Sequence, residues 1–221
     1  MNTESMNAVT YLPHLRIQLA LHLLRPGTGG PLLMLHGLGD SGSALTPPSV
    51  WPGPVYALDF TGHGSSTVPR GGGYTCEVLL ADADIALTHL GEATVIGHGL
   101  GGYIGLLLAG ARPDRVRGLV IADGPGLTGG NSGPMSAHIF PTVENVDRRS
   151  PDPLALLELT SDIRPPDYAC AWARLAVENS PIHDPITVSV RWQTPWLEAV
   201  SKESGVLHGV TVDDALKRYA S

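Results

Sequence analysis

The chain has 221 residues, a length that fits one domain with a substantial core and is short for two. Hydrophobic residues make up 43%, which is typical of a globular protein, and the 27 glycines and 19 prolines predict many turns. The formal net charge is −7, from 14 basic and 21 acidic residues without a cluster of arginines. This balance disfavours nucleic acid as a partner.

The cysteines and the N-terminus argue against several other classes of protein. Cys76 and Cys170 lie far apart without metal-ligand spacing, so we expect two reduced, buried thiols. The histidines have no ligand spacing either, and we expect no metal and no cofactor. No secretory signal is visible in the first residues, so we expect none, and the longest nearly apolar stretch, residues 100–111, is too short to span a bilayer. We therefore expect a cytoplasmic protein without a membrane partner, and its oligomeric state stays open.

Short apolar runs alternate with helical patterns in the first half of the chain. An apolar run without interruption is typical of a strand in a sheet that is covered on both faces. Strands are predicted at residues 15–24, 31–35, 55–58, 93–96 and 116–122, and helices at 76–90 and 101–111. The alternation predicts an α/β fold with a doubly wound, mostly parallel sheet.

The second half of the chain is less regular. Residues 126–185 are rich in proline and predict a reduced cap over the carboxyl edge of the sheet, with one helix at 167–178. Alternating apolar residues predict a strand at 186–192, and a final helix runs from a Thr211 cap to Tyr219. No internal repeat is visible. The whole chain is therefore predicted as a single domain that carries the cap as an excursion.

Three segments place glycines and polar residues at the ends of predicted strands. Residues 32–42 read L-L-M-L-H-G-L-G-D-S-G, residues 56–65 read Y-A-L-D-F-T-G-H-G-S, and residues 95–102 read V-I-G-H-G-L-G-G. The third segment describes a strand, a sharp turn and a helix. Gly97 and Gly101 would allow this strand and helix to approach closely.

In this order, the three segments resemble the α/β-hydrolase family, in particular its epoxide-hydrolase-like and esterase-like members, over residues 31–126. The resemblance implies that the backbone N–H groups of Leu38 and Leu100 form an oxyanion hole. It also implies a nucleophile at the centre of G-x-S-x-G, a position that is Gly99 in this chain. Glycine has no side chain, so we expect no nucleophilic catalysis from this turn.

The resemblance further points to two members of a catalytic triad. His208, just before the last helix, matches the family histidine, and Asp123 matches the acid that some relatives carry after the sixth strand. An ordinary loop histidine and a turn aspartate are equally good interpretations of these two residues. His98 is the titratable group nearest to the turn, and we assign it to the pocket. His36 is assigned to the pocket as well, with a structural role in supporting the oxyanion loop as its other interpretation.

Three other polar residues near these motifs have mainly structural interpretations. His63 lies in a glycine turn and is expected to be structural. Asp59 is expected to cap the turn that follows its strand. Asp40 is expected to cap a helix, with lining of the pocket as the alternative.

These residues leave two main functions open. In the first, the chain is a pseudoenzyme that binds a small apolar or ester-like molecule. In the second, it is an active hydrolase or lyase on a small ester, lactone or epoxide, using the oxyanion hole with His98, His208 or Asp123 as general acid or base. Deliberate removal of the serine ranks third, because alanine is the more obvious replacement. Restoring serine at Gly99 is expected to lower stability and to give weak esterase activity.

Overall fold

A single sheet organises the described part of the chain, which in this computed structural model is residues 8–130 and 150–220. Its eight strands lie in the order β1-β2-β4-β3-β5-β6-β7-β8. β1 and β2 pair antiparallel, as do β2 and β4, and the pairs from β4 through β3 to β8 are parallel. The strands are β1 (Ala8–His14), β2 (Ile17–Arg25), β3 (Leu32–Leu35), β4 (Val55–Leu58), β5 (Ala93–His98), β6 (Val116–Ala122), β7 (Ile186–Ser189) and β8 (Val206–His208).

Local signals set the beginnings of the helices. The Thr75 hydroxyl accepts the Val78 N–H at the start of the first helix, and Asp152 accepts the Leu154 N–H at the start of the third. The helices are α1 (Cys76–Leu90), α2 (Leu100–Ala111), α3 (Pro153–Ser161), α4 (Pro166–Asn179), α5 (Pro195–Val200) and α6 (Val212–Tyr219), with a short 3₁₀ turn at Gly42–Ala44. Thr211 caps α6 through the Asp214 N–H, as predicted.

The two faces of the sheet are covered by different helices. Successive residues of a strand point to opposite faces, so Leu33 and Leu35 join the larger core cluster while Leu32 and Met34 join the smaller one. Residues of α1, α2, α4 and α5 belong to the larger cluster, and residues of α6 belong to the smaller one. α4 packs directly on α2 and α5. Both faces are covered, as the apolar strands predict.

The predicted fold class is confirmed, and α1 has the predicted bounds. Four elements were not predicted: β1, α3, α5 and β8. The prediction of a single helix in the proline-rich region is wrong, because α3 precedes α4 there. The strand predicted at 186–192 ends at Ser189, and the one predicted at 15–24 begins at Ile17 because Leu15 lies in the turn with a φ of 54°.

Part of the predicted cap lies outside the described residues, namely residues 131–149. The described remainder of residues 126–185 contains α3 and α4. The division into one domain with a cap stays a prediction. Cys76 and Cys170 are both free and buried. Within residues 8–130 and 150–220, no helix is long and apolar enough to cross a membrane.

Candidate functional site

The turn between β5 and α2 consists of one residue, Gly99, with φ 57° and ψ −118°. Positive φ values of this kind are strained for residues that have a side chain. The start of α2 lies close to the end of β3, since a Cβ atom at Gly101 would lie only 2.7 Å from the His36 carbonyl oxygen. A Cβ atom at Gly97 would likewise overlap the backbone of Gly101. The sharp glycine turn predicted from the sequence is therefore present.

The backbone N–H groups of Leu38 and Leu100 converge on one point next to this turn. That point holds the carbonyl oxygen of Pro125, which accepts both hydrogen bonds, at 3.0 Å from Leu38 and 2.9 Å from Leu100. A Cβ atom at Gly99 would overlap the same oxygen, and one at Gly37 would lie 2.7 Å from the Pro125 ring. Residues 124–126, which we call the strap, thus fill the space in front of Gly99.

The strap continues into a chain segment that is fixed by buried side chains. One terminal nitrogen of Arg164 donates to the carbonyl oxygens of both Gly126 and Leu127. The Trp196 indole N–H donates to the Leu127 oxygen at 2.9 Å. Arg164 is only 2% exposed, and its guanidinium lies 4.9 Å from the ring centre of Tyr103. Burial lowers the pKa of Arg164 from its ordinary value, against the opposing effect of neighbouring groups such as Cys76.

A separate cleft opens beside Asp123 at the carboxyl ends of the strands. The Asp123 carboxylate accepts the Arg191 N–H with both oxygens at 3.1 Å, and the backbone of Asp123 forms a hydrogen bond with the His98 ring. Burial lowers the pKa of His98, so its imidazole is neutral at neutral pH. The cleft has a volume of about 590 Å³ and is lined by His98, Ala122, Asp123, Val188, Ser189, Val190, Arg191, Gly209, Val210, Thr211 and Val212.

His208 is not part of this arrangement. It is an exposed residue at the end of β8, where it pairs with Val188, and it does not line the cleft. Within the described part of the chain, the Asp123 carboxylate is bonded to the backbone of Arg191, and no hydrogen bond or ion pair joins it to His208. The structure therefore brings Asp123 together with His98 and leaves His208 apart from both.

His36 is scaffold, and its assignment to the pocket is corrected. It is fully buried, its Nε2 accepts the Phe60 N–H at 3.1 Å, and its Nδ1 lies 2.7 Å from the Gly37 carbonyl oxygen. With both ring nitrogens engaged inside the protein, His36 offers nothing to a ligand.

Of the other polar residues near the motifs, Asp59 has the predicted structural role and Asp40 does not have the predicted capping role. Asp59 is buried and accepts the N–H groups of Gly42 and Ser65 at 2.6 Å each, which agrees with its structural interpretation. Asp40 caps no helix, because the 3₁₀ turn begins after Ser41 and Asp40 itself is exposed. Its interpretation as a cap is wrong.

The groups that fill and fix the space in front of Gly99 were not predicted. A backbone carbonyl such as that of Pro125 carries no residue-type signal, although the Gly-Pro-Gly sequence of the strap is a visible turn signal. Arg164 and Trp196 are 37 and 69 residues from Leu127 in sequence, and no local pattern connects them. Among the described residues, no group of three or more His, Cys, Asp or Glu is arranged to hold a metal ion.

A family model described as "Alpha/beta hydrolase family" matches residues 32–220. The chain belongs to the alpha/beta hydrolase family. The match extends well past residue 126, where the motifs that resemble the family end. The fold is similar to that in the crystal structure of a hypothetical protein from Pseudomonas aeruginosa PAO1, which is 19% identical; the match has a TM-score of 0.64 and covers 96% of each chain. At that identity the likeness shows the fold alone.

Curated alpha/beta hydrolase relatives match part of the chain. Lipase LipV of Mycobacterium tuberculosis is 34% identical over 112 residues, which are 47% of this chain and 41% of the lipase. The 2-hydroxymuconate semialdehyde hydrolase of a Pseudomonas species is 32% identical over 129 residues, 55% of this chain and 42% of that protein. The chain thus spans about two fifths of the length of these two relatives.

Proposed function

We propose that this chain is a pseudoenzyme of the alpha/beta hydrolase family, which binds a small molecule and does not form a covalent intermediate at Gly99. The observation that carries the proposal is the Pro125 carbonyl oxygen, bonded to both Leu38 and Leu100. Acyl transfer of the family type needs a nucleophilic side chain and free donors for the developing oxyanion. Here Gly99 has no side chain, and the donors already have an acceptor.

The cleft beside Asp123 is the proposed ligand site. In open α/β sheets, ligands bind at the carboxyl ends of the strands, and ligand sites have volumes of about 300–1,000 Å³. Val188, Val190 and Val212 provide apolar walls for the body of a small apolar or ester-like molecule. The neutral His98 and the Asp123 carboxylate provide polar groups to orient it.

The alternative of general acid and base catalysis by His208 and Asp123 has no geometric support, because the two residues are not in contact. A catalytic function of the cleft would have to use His98, which lies beside Asp123 and is neutral at neutral pH. Dependence of turnover on His98 therefore distinguishes an enzyme from a binding protein.

The first experiment tests covalent chemistry. We expect no mass increase after the full chain is incubated with a fluorophosphonate, because Gly99 offers no hydroxyl. Intact-mass spectrometry provides the measurement, and an active serine hydrolase treated in parallel shows that the reagent is competent. A stoichiometric adduct within residues 95–102 would refute the proposal.

The second experiment tests ligand binding with phenyl acetate and its hydrolysis-resistant amide analogue, acetanilide. Both should shift backbone NMR signals of residues that line the cleft, and His98→Gln should weaken this binding. His89→Gln is the matched control, because His89 is exposed on α1. Turnover of phenyl acetate that disappears in His98→Gln and persists in His89→Gln would establish an enzyme and overturn the pseudoenzyme.

A further inference from the structure

The strap occupies its site in the manner of a bound ligand. Its Pro125 carbonyl oxygen takes two converging N–H groups at 3.0 and 2.9 Å, a geometry that suits a substrate carbonyl or a carboxylate. One of the donors, Leu100, is the first residue of the 12-residue helix α2. The helix N-terminus favours an acceptor with negative charge at this position. An internal carbonyl therefore competes for the same place with any external carbonyl or carboxylate.

The strap also fits closely against the turn that it covers. A Cβ atom at Gly124 would lie 2.6 Å from the Gly99 nitrogen, and one at Gly126 would lie 2.6 Å from the Leu38 Cβ. Gly126 has a φ of 75°, which glycine adopts without strain. The strap therefore lies directly on the backbone of Gly99 and the side chain of Leu38, which leaves no room for another group while the strap is in place.

Arg164 is placed to control the strap. It lies in the connection between α3 and α4, and its side chain reaches the carbonyl oxygens of Gly126 and Leu127, directly after Pro125. The guanidinium is buried against the Tyr103 ring, so its hydrogen bonds are formed away from water. The Trp196 indole N–H donates a third hydrogen bond, to the carbonyl oxygen of Leu127.

We propose that the strap is an intramolecular inhibitor of the N–H pair of Leu38 and Leu100, and that Arg164 is its latch. While Arg164 holds Gly126 and Leu127, the pair is closed to external ligands. When the latch is removed, the pair accepts a small carboxylate. The inference rests on the proposed function and deepens it, since it names what keeps the turn closed.

Amide hydrogen exchange in Arg164→Met tests the latch. Methionine keeps much of the buried volume and removes the charge and the donors. We expect protection of the Leu38 and Leu100 amides to fall at least tenfold, while amides within β5 and β6 keep their protection. Arg174→Met is the matched control. Arg174 is an exposed residue of α4 that pairs with Glu203 and does not touch the strap. Unchanged protection in a folded Arg164→Met variant would overturn the latch.

Titration with sodium acetate tests the competition, with sodium chloride at equal ionic strength as the reference. Acetate should give saturable shifts of the Leu38 and Leu100 amide signals in Arg164→Met, and none in the wild type or in Arg174→Met. No response in an opened Arg164→Met variant would show that the N–H pair does not accept a carboxylate. A wild type that responds as strongly would show that the strap does not inhibit.

A milder variant covers the case in which Arg164→Met does not fold. Trp196→Phe keeps an aromatic ring against Tyr103 and removes the indole donor to Leu127 together with part of the ring volume. We expect a selective loss of Leu38 and Leu100 protection of about threefold or more. The control is Trp51→Phe, since Trp51 is also a buried tryptophan and its indole N–H donates to the Gly30 carbonyl oxygen, away from the strap. No difference between these two variants would overturn the inference. The fluorophosphonate experiment is independent, since an adduct would refute the proposed function without changing these exchange rates.

Discussion

At the scale of single residues, Gly99 is the position where any side chain should be most costly. A Cβ atom there overlaps the Pro125 oxygen and also meets a φ of 57°. We expect Gly99→Ala to lower the free energy of unfolding by about 3–5 kcal/mol, from backbone strain plus two displaced hydrogen bonds. Urea denaturation of both forms provides the measurement.

Gly30→Ala is the control for this prediction, because a Cβ atom at Gly30 meets no atom within 4 Å. Its effect should stay within about 0.5 kcal/mol. Equal stability of Gly99→Ala and the wild type would show that the strap does not fill the turn.

The expectation of weak esterase activity in Gly99→Ser is revised for the same reason: the hydroxyl has no space, and His208 is elsewhere. We now expect that variant to be unstable and inactive.

The residues of the turn could be predicted, and their occupant could not. Gly99, Leu38 and Leu100 lie in short local motifs whose backbone shape follows from glycine spacing. The Pro125 oxygen reaches them from a different strand end and is a backbone atom, so residue type gives no indication of it. His208 was assigned by its position before the last helix, which says nothing about where its side chain lies.

At the scale of elements, α3 is held to the loop before α1 by buried polar bonds. The Tyr74 hydroxyl donates to the Asp152 carboxylate at 2.6 Å, and the same carboxylate caps α3. Tyr74→Phe should therefore lower the free energy of unfolding by about 1.5–3 kcal/mol, as expected for a lost hydrogen bond to a charged group. Thermal and urea denaturation measure the loss.

The exposed Tyr11 on β1 gives the matched comparison, since Tyr11→Phe should change stability by no more than about 0.5 kcal/mol. Equal effects of the two substitutions would show that the Asp152 contact does not hold α3.

Helices and strands with a regular spacing of apolar residues could be predicted, and short or exposed ones could not. α1 combines helical spacing with a Thr75 cap and a terminal Gly91, and its predicted bounds agree with the structure. β1 is an edge strand with Val9 and Tyr11 exposed, so its sequence lacks the apolar run of a covered strand. α3 starts at Asp152-Pro153, a good start signal that is obscured by the surrounding prolines.

At the scale of the whole molecule, buried histidines should make the fold sensitive to acid. Burial, together with the neighbouring His63, lowers the pKa of His36 to about 4. The unfolded chain binds this proton near the ordinary value of 6.5, so the free energy of unfolding falls as the pH drops from 6.5 towards 4. The loss from His36 alone approaches about 3 kcal/mol at pH 4. Burial lowers the pKa of His63 and His98 in the same direction.

Urea denaturation between pH 4 and 7 measures this dependence. His36→Gln retains an acceptor for the Phe60 N–H but does not titrate, and should flatten the dependence. His89→Gln removes an exposed histidine and should leave the pH dependence of the free energy of unfolding as in the wild type. A dependence that is equally steep in His36→Gln would assign the acid sensitivity to other groups.

The fit between Gly99 and the strap also constrains how this sequence can evolve. A serine gained at position 99 alone meets backbone in its place and lowers stability before any activity can be selected. A change in the strap alone frees the N–H groups of Leu38 and Leu100 without supplying a nucleophile. Either change by itself lowers stability or frees the N–H groups without a nucleophile, so only the two changes together would allow catalysis. The filled turn therefore makes serine chemistry at position 99 depend on two changes at once, one in the turn and one in the strap.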